Sequence, residues 1–126
     1  MTLAQARAHS AGVLADRRLK PALRRKVEAV IEDLGGKGEG CVFLAFEGYR
    51  SPVRQIKLWM LGTSKVRHGR HCLGRAVDIV AFDVLRGEWS WSARWPWWLV
   101  GKSAEAHSLE WGGHWRTIYD PYHVQL

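Results

Sequence analysis

Residues 68–78 read His-Gly-Arg-His-Cys-Leu-Gly-Arg-Ala-Val-Asp and lead directly into the apolar run Ile79-Val-Ala-Phe82. Glycines on both sides of His71 indicate a turn, and residues 76–82 read as a buried strand. Asp78 falls inside that strand, where an ionised carboxylate is costly unless it is paired or bound to a metal. The stretch therefore predicts a turn followed by a strand, with His71 and Asp78 facing a common polar or metal site.

The C-terminal residues Asp120-Pro-Tyr-His123-Val-Gln-Leu126 offer a second histidine and a second carboxylate. Two imidazole nitrogens and one carboxylate oxygen suit zinc, which keeps a fourth position open for water in catalytic sites. Asp120 lies close before His123 in sequence, so its carboxylate can stand beside the activated water as a proton acceptor. These residues support the hypothesis of one zinc ion held by His71, Asp78 and His123, with Asp120 as general base.

Each proposed ligand also has a simpler explanation. His71 can be an ordinary loop histidine, and His123 can be a core residue with satisfied hydrogen bonds. Asp78 can be the buried ion-pair partner of Arg75 or Arg50. Taken one at a time, the residues leave these alternatives open.

The size of the chain predicts a single domain over residues 1–126, large enough to bury a core without disulfides. Cys41 and Cys72 are accordingly expected to be free thiols, although Cys72 adjoins His71 and could be a ligand. Charged residues interrupt the first part of the chain, so no secretory signal is expected, and no apolar run approaches about 18 residues. We therefore expect synthesis in the cytoplasm and no membrane span. We also expect the protein to be a monomer.

Positive charge is concentrated in the first half of the chain. Residues 1–70 hold 14 Lys and Arg against 6 Asp and Glu, whereas residues 71–126 hold 5 against 6. A basic half favours a polyanionic partner such as nucleic acid or an anionic cell-wall polymer, or it is simply a solvated surface. No recognition helix, zinc finger or RNA-binding motif accompanies the charge, so nucleic acid is not expected to be the partner.

Hydrophobic periodicity predicts alternating helices and strands. The Leu19–Leu34 stripe indicates an amphipathic helix that ends at Gly35-Gly36, and Ser51 with Pro52 indicates the start of another. Arg50 then lies at a strand-to-helix junction, where side chains often face a site. The remaining expected elements are a short helix in residues 1–15, strands at 41–46, 76–82 and 122–126, a loop at 62–75, a tryptophan-rich excursion at 86–96, and a helix from Pro96 to about His107.

Four blocks of the sequence resemble the zinc D-alanyl-D-alanine carboxypeptidase and L-alanoyl-D-glutamate endopeptidase family, the VanY-like peptidases, and within it the small phage endolysins. Gly48-Tyr-Arg-Ser51 with Gln55 resembles the family's G-Y-R-S-x-x-x-Q segment. His71-x-x-Gly-x-Ala-x-Asp78 resembles its S-x-H-x-x-G-x-A-x-D metal motif. Glu110-Trp-Gly-Gly-x-Trp115 resembles its W-G-G-x-W turn, and Asp120-x-x-His123 resembles its D/E-x-x-H ending.

The resemblance implies a role for each matching residue. It makes His71, Asp78 and His123 the ligands of one Zn²⁺ per chain and Asp120 the general base. It assigns Arg50 to stabilising the tetrahedral intermediate or positioning the substrate. The residues assigned to substrate binding are Gln55, which would also support Arg50, together with Ser51, Trp111 and His114.

The match departs from the family pattern at two positions. Gly69 stands where the family has serine, so the hydrogen bond of that hydroxyl is absent or is replaced by Arg70 or His68. His114 stands where relatives often carry Asp or Asn, which makes it a candidate for substrate contact or, less simply, for metal binding. Glu110 is a second candidate base that more simply anchors the aromatic turn.

The resemblance also implies the fold and the function. We expect an α+β domain with a small, mainly antiparallel sheet flanked by helices, similar to the Hedgehog/DD-peptidase fold. The expected activity is zinc-dependent hydrolysis of the peptidoglycan stem peptide, first as an L-alanoyl-D-glutamate endopeptidase and second as a D-alanyl-D-alanine carboxypeptidase. A non-catalytic zinc-binding or wall-binding module of the same fold is the third possibility. The protein would act on the bacterial wall or in the periplasm, and a phage enzyme would be released by a holin.

Overall fold

The computed structural model describes residues 1–63 and 69–126, in which four helices pack on a five-stranded antiparallel sheet. The helices are α1 (Leu3–Leu14), α2 (Pro21–Leu34), α3 (Pro52–Met60) and α4 (Trp97–Ala106). The strands are β1 (Cys41–Glu47), β2 (Ala76–Asp83), β3 (Glu88–Ser90), β4 (Glu110–Trp111) and β5 (His123–Gln125). The α+β class expected from the sequence is confirmed.

Strand β2 is the centre of the sheet. Strand β1 pairs with one side of β2 over the whole length of β1. On the other side of β2, β5 pairs with residues 76–78 and β3 pairs with residues 81–83. In these registers Asp78 lies directly opposite His123 of β5 and opposite Glu47 of β1. The pairing with Glu47 follows a bulge at the end of β1. Strand pairing therefore gathers two carboxylates and one histidine at one end of the sheet.

The apolar stripe of α2 forms one side of the core. Leu23, Val27, Val30 and Leu34 are buried on a single helix face that packs against β1 and α4. Burial of each such side chain contributes about 1.5–3 kcal/mol. The predicted packing role of this helix is confirmed.

The observed elements differ from the expected ones in four places, one of which is the short strand β4 at the start of the expected aromatic turn. Helix α2 begins at Pro21, because proline fits the first helical position and its missing N–H costs nothing there. The tryptophan-rich excursion contains β3, which pairs with the end of β2. The expected 62–75 loop contains a short 3-10 turn, Arg70–Leu73, while residues 64–68 of that loop lie outside the described residues.

The two cysteines are free thiols, as expected: Cys41 is buried and Cys72 is half-buried. Burial raises the pKa of Cys41 to about 11, so this thiol is protonated at neutral pH. None of the helices in residues 1–63 and 69–126 combines the length and the apolar character needed to cross a bilayer.

Ser108 provides a test of helix termination. It follows α4 with φ of 60°, a left-handed conformation that favours glycine, and the N–H of Leu109 closes the helix end on the carbonyl of Ala104. We expect Ser108→Gly to raise the free energy of unfolding by about 0.5–1 kcal/mol. Ser108→Ala, which keeps the strain, should give no gain. Urea denaturation measures both, and an equal effect of the two substitutions would contradict this explanation.

Candidate active site

Three donor atoms converge at the end of the sheet. Oδ1 of Asp78 lies 3.3 Å from Nε2 of His71 and 3.7 Å from Nδ1 of His123. The three ligand atoms all lie within 4.8 Å of one another, and among the described residues they form the one such group of three or more His, Cys, Asp and Glu side chains. Ligands of a tetrahedral zinc ion lie roughly 3.3 Å apart when the metal–ligand bonds are about 2.0–2.1 Å. The two distances from Asp78 are close to this value, so the donor set suits zinc.

The second nitrogen of each histidine is held by an acceptor. Nδ1 of His71 donates to the backbone carbonyl of Gly48 at 2.8 Å, and Nε2 of His123 donates to Oε1 of Gln125 at 2.8 Å. In the neutral imidazole each bond keeps the proton on the far nitrogen and leaves the nitrogen that faces Asp78 available to a metal, whereas in the protonated ring that nitrogen donates to Asp78. Histidines that bind metals almost always have such a partner, which fixes the tautomer and the ring orientation. The donor set is therefore preorganised for a cation.

A buried arginine at the β1–α3 junction balances the negative charges of Asp78 and Glu47. The guanidinium of Arg50 is almost fully buried and contacts Oδ2 of Asp78 at 3.4 Å and the carboxylate of Glu47 at 3.1 Å. It also donates to Oε1 of the fully buried Gln55 at 2.7 Å. Arg54 adds a second cationic contact to Glu47 at 2.8 Å. Two arginines thus offset the charge of Glu47, and one of them, Arg50, also holds the outer oxygen of Asp78.

The pKa values of the neighbouring groups follow from this arrangement. Burial acts to raise the pKa of Asp78, but hydrogen bonds and attraction from His123 and His71 outweigh it and hold that pKa below its ordinary value. Burial also acts to raise the pKa of Glu47, and the contacts with Arg50 and Arg54 reverse the direction. Both carboxylates are therefore ionised at neutral pH.

Glycine at position 74 is required by the turn that presents His71. Gly74 has φ of 67°, and a Cβ there would lie 1.9 Å from the carbonyl oxygen of Arg18. The carbonyl of Gly74 also accepts a hydrogen bond from the backbone N–H of Lys20 at 2.9 Å. The turn is thus pressed against the α1–α2 connection, which leaves no space for a side chain.

Asp120 is held at the cleft by the aromatic turn. Its backbone N–H donates to the carbonyl of Gly112 at 3.1 Å, and its carbonyl accepts from the N–H of His123 at 3.2 Å. A Cβ on Gly112 would lie 2.3 Å from the Asp120 carbonyl oxygen. The indole N–H of Trp111 donates to the carbonyl of Pro121 at 2.8 Å. The W-G-G sequence therefore fixes the backbone of the segment that carries Asp120.

Burial of the Asp120 side chain, followed by repulsion from Asp78, raises the pKa of Asp120 above its ordinary value. A carboxylate with a raised pKa holds a proton more tightly than one in water. The same site thus raises the pKa of Asp120 and lowers the pKa of Asp78. This is the difference expected between an acid–base carboxylate and a metal-binding carboxylate.

A cleft of about 1190 Å³ opens over these groups. It lies between the β1–α3 junction, the Arg70–Leu73 turn and the C-terminal segment. The polar side chains that line it include Glu47, Arg50, Arg54, Gln55, Arg70, His71, Asp78, Asp120, His123 and Gln125. Its apolar lining includes Phe46, Leu58, Trp91, Trp115 and Tyr119. The cleft is large enough for a peptide segment.

The four residues expected to bind substrate occupy different environments. Gln55 lines the cleft and bonds Arg50, whereas Ser51 caps α3 by accepting from the N–H of Arg54. Trp111 is buried behind the Asp120 segment. His114 is exposed and lies 2.6 Å from Glu105 of α4. The structure brings only Gln55 of these four to the cleft, and direct substrate contact stays a prediction for all of them.

The alternative metal ligands do not join the cluster. Cys72 lines the cleft but is not part of the group of converging donors, and His114 is paired with Glu105. His68, named above as a replacement for the family serine, lies outside the described residues. Gly69 caps the Arg70–Leu73 turn through its backbone alone.

Gln125, which lies behind His123, was not singled out as functional from the sequence, and Glu110 was considered there only as a second candidate base. The amide of Gln125 accepts from His123 and donates to the carboxylate of Glu110, so the two residues form a chain of hydrogen bonds from β4 to the ligand. The shared face of His123 and Gln125 in the strand was the available signal. Trp115 also packs its ring 4.9 Å from the ring of His123.

Gln125→Leu tests this chain of hydrogen bonds. Leucine fills the volume but gives His123 no acceptor, so we expect zinc affinity to fall about 10–100-fold. Glu110→Gln keeps an acceptor oxygen for Gln125 and should change the affinity far less. Competition with a chromophoric chelator measures the affinity, and urea unfolding of the metal-free proteins reports any loss of fold. Equal zinc affinities for Gln125→Leu and the parent protein would contradict the assigned role.

Comparisons with known proteins agree with this geometry. The sequence profile of an M15 peptidase family described as D-alanyl-D-alanine carboxypeptidase matches residues 63–126. The crystal structure of the Serratia marcescens L-Ala D-Glu endopeptidase ChiX is similar to this chain with a TM-score of 0.70 and 31% sequence identity. That similarity covers 95% of this chain and 87% of the other. No curated protein sequence shows a significant match. With half of its length matched by the family profile and a structural relative above 30% identity, the chain belongs to the M15 peptidase family.

Proposed function

We propose that the protein is a zinc-dependent peptidase that cleaves the L-Ala–D-Glu bond of the peptidoglycan stem peptide. The observation that carries the proposal is the convergence of His71, Asp78 and His123 in the same cleft as Asp120. Membership of the M15 family supports a peptidase. The similarity to the endopeptidase from Serratia marcescens favours the L-Ala–D-Glu bond, and the bacterial cell wall would then be the site of action.

One zinc ion per chain would be held by Nε2 of His71, Oδ1 of Asp78 and Nδ1 of His123. Zinc bound in this way lowers the pKa of a coordinated water to about 7 and polarises a substrate carbonyl. The chain's contribution is to fix the three donors before the metal arrives. Gly48 and Gln125 hold the two imidazoles, and Arg50 holds the outer oxygen of Asp78.

Asp120 acts as the general base in this proposal. Its carboxylate accepts a proton from the attacking water and returns it to the amine of the leaving peptide. Because burial raises its pKa, it is a stronger base than an exposed aspartate. The backbone bonds to Gly112 and His123 keep it in position through both proton transfers.

Arg50 serves two purposes in the proposal. Its contacts with Asp78 and Glu47 position a metal ligand, and its place on the cleft wall presents positive charge to the oxyanion that forms on the scissile carbonyl. Gln55 fixes the guanidinium through the bond to Nη1. Gln55 is therefore assigned a positioning role.

D-Alanyl-D-alanine carboxypeptidase activity is the second candidate, because the family profile that matches residues 63–126 carries that description. The two activities use the same groups and differ in the bond that enters the cleft. A non-catalytic wall-binding protein of the same fold is the third candidate.

Digestion of purified peptidoglycan separates the three candidates. The endopeptidase exposes new amino-terminal D-Glu, the carboxypeptidase releases free D-Ala, and a binding module produces neither. We expect new D-Glu amino termini in the absence of free D-Ala, measured by end-group labelling and mass spectrometry. Free D-Ala as the main product would assign the second activity, and intact stem peptides with bound protein would assign the third.

A further inference from the structure

One wall of the cleft carries an exposed tryptophan that the chemistry of hydrolysis does not use. Trp91 follows β3, lines the cleft, and leaves 45% of its surface exposed. Trp98 of α4 is also exposed, at 61%, but lines a separate pocket near Arg94 and Lys37. Trp91 therefore presents an apolar ring to the cleft. Trp98, which is exposed outside the cleft, is the matched control position.

The ring of Trp91 is held in place from behind. Phe46 packs against it edge-on, with the two ring centroids 5.1 Å apart, and Trp89 packs against Phe46 at the same distance. His9 of α1 bonds the Phe46 carbonyl at 2.7 Å, so the support extends to the first helix. An aromatic side chain fixed in this way loses little freedom when a ligand covers it.

The position of Trp91 is also tied to the catalytic end of the sheet. The hydroxyl of Tyr122 donates to the backbone carbonyl of Trp91 at 3.2 Å, and Tyr122 directly precedes His123. Phe46 directly precedes Glu47, which pairs with Asp78. Trp91 is thus connected through Tyr122 and Phe46 to the residues that precede His123 and Glu47.

The chemistry of the substrate indicates what covers this ring. The stem peptide around the proposed bond has a methyl side chain on L-Ala and charged or polar groups on the residues that follow. The carboxylates suit the cations that line the cleft, Arg54 and Arg70. None of these side chains has a flat apolar face the size of an indole. The group that does is the pyranose ring of N-acetylmuramic acid, whose C–H face stacks on aromatic rings and whose lactyl arm is joined to L-Ala.

We propose that Trp91 is a specificity residue that binds the muramyl sugar on the amino-terminal side of the scissile bond, so that the enzyme prefers stem peptides still attached to glycan. The inference rests on the proposed function. It also favours the endopeptidase over the carboxypeptidase, because the D-Ala–D-Ala bond lies three residues farther from the sugar, roughly 10 Å along an extended chain. Binding energy from this remote group would be used to place the scissile bond.

Two substrates with a blocked amino terminus test the inference. One is the muramyl stem peptide, and the other is the same peptide with an N-acetyl group, which has no sugar and no amine charge. We expect the parent protein to cleave the muramyl peptide with a kcat/KM about tenfold higher. Trp91→Ala should remove this preference through a larger loss of kcat/KM on the muramyl peptide than on the N-acetyl peptide, Trp91→Phe should retain part of the preference, and Trp98→Ala should retain all of it.

The outcomes separate this inference from the proposed function. Equal kcat/KM for both substrates in the parent protein, or an equal loss on both in Trp91→Ala, would overturn the sugar site while leaving the peptidase intact. Cleavage of neither substrate would overturn the proposed function. If Trp91→Ala does not fold, comparison of Trp91→Phe with the parent protein decides the question. Saturation-transfer NMR on the Asp120→Asn protein adds a direct readout: transfer to the sugar ring protons supports the site, and its absence contradicts it.

Discussion

Replacement of Asp120 by asparagine lowers kcat by about 10²–10⁴-fold, while one zinc ion per chain stays bound, if Asp120 is the general base. Asparagine has the same shape but cannot take the proton from water. The backbone bonds of Asp120 to Gly112 and His123 do not involve the side chain, so the segment keeps its position. The rate is measured as new amino groups released from purified peptidoglycan, and the zinc content by elemental analysis.

Asp33→Asn is the matched control for this substitution. Asp33 is an aspartate outside the cleft that bonds Ser103 and His107 at the α2–α4 contact. We expect its removal to leave kcat unchanged. An Asp120→Asn protein that retains a third or more of the parent rate would show that another group takes the proton, with Glu110 as the next carboxylate to test.

Loss of either histidine ligand is expected to abolish zinc binding and activity together. His123→Ala and His71→Ala each remove one of three donors, and a site with two protein ligands holds zinc far more weakly. After dialysis against a weak chelator we expect less than a tenth of an equivalent of zinc per chain, against about one in the parent protein. Activity should fall below detection in both variants.

Cys72→Ser is the control for the ligand substitutions. Cys72 adjoins His71 in the turn and lines the cleft, yet it stands apart from the converging donors. We expect the variant to keep its zinc and its activity. Loss of zinc in Cys72→Ser, or full zinc in either histidine variant, would mean that the ligand set is assigned incorrectly.

Local sequence signals were sufficient to predict the elements that carry the ligands. The glycine-bounded turn at His71 and the apolar strand around Asp78 follow from backbone preference and burial, which act over a few residues. Strand alternation also placed His123 and Gln125 on one face. The residue types suggested one zinc site as a hypothesis, and the family resemblance decided between it and the simpler alternatives, because no local rule predicts that residues 71 and 123 meet.

The parts that sequence reasoning missed depend on strand pairing. Glu47 reaches Asp78 only because a bulge at the end of β1 shifts the register, and a bulge leaves no clear signal in a short apolar run. The contact of Gln125 with Glu110 requires β4, a two-residue strand too short to detect from periodicity. Long-range partners of this kind become visible only when the sheet is assembled.

The four residues assigned to substrate binding show a second limit of prediction from sequence motifs. Ser51, Trp111 and His114 match or adjoin family blocks, but a block records which residues recur together and not which of them face the cleft. Ser51 caps a helix and Trp111 supports the Asp120 segment. A motif residue can therefore serve the site by holding its backbone. Trp91 shows the converse, since it belongs to no block yet lines the cleft.

The most direct test of the central claim is to add zinc to the metal-free protein while counting the D-Glu amino termini released from purified peptidoglycan. We predict no release by the metal-free protein and full activity at one equivalent of zinc per chain, with no response in His123→Ala. Release at the same rate without metal, or neither D-Glu amino termini nor free D-Ala from the zinc-loaded protein, would contradict the claim that His71, Asp78 and His123 hold the zinc ion of a peptidoglycan peptidase.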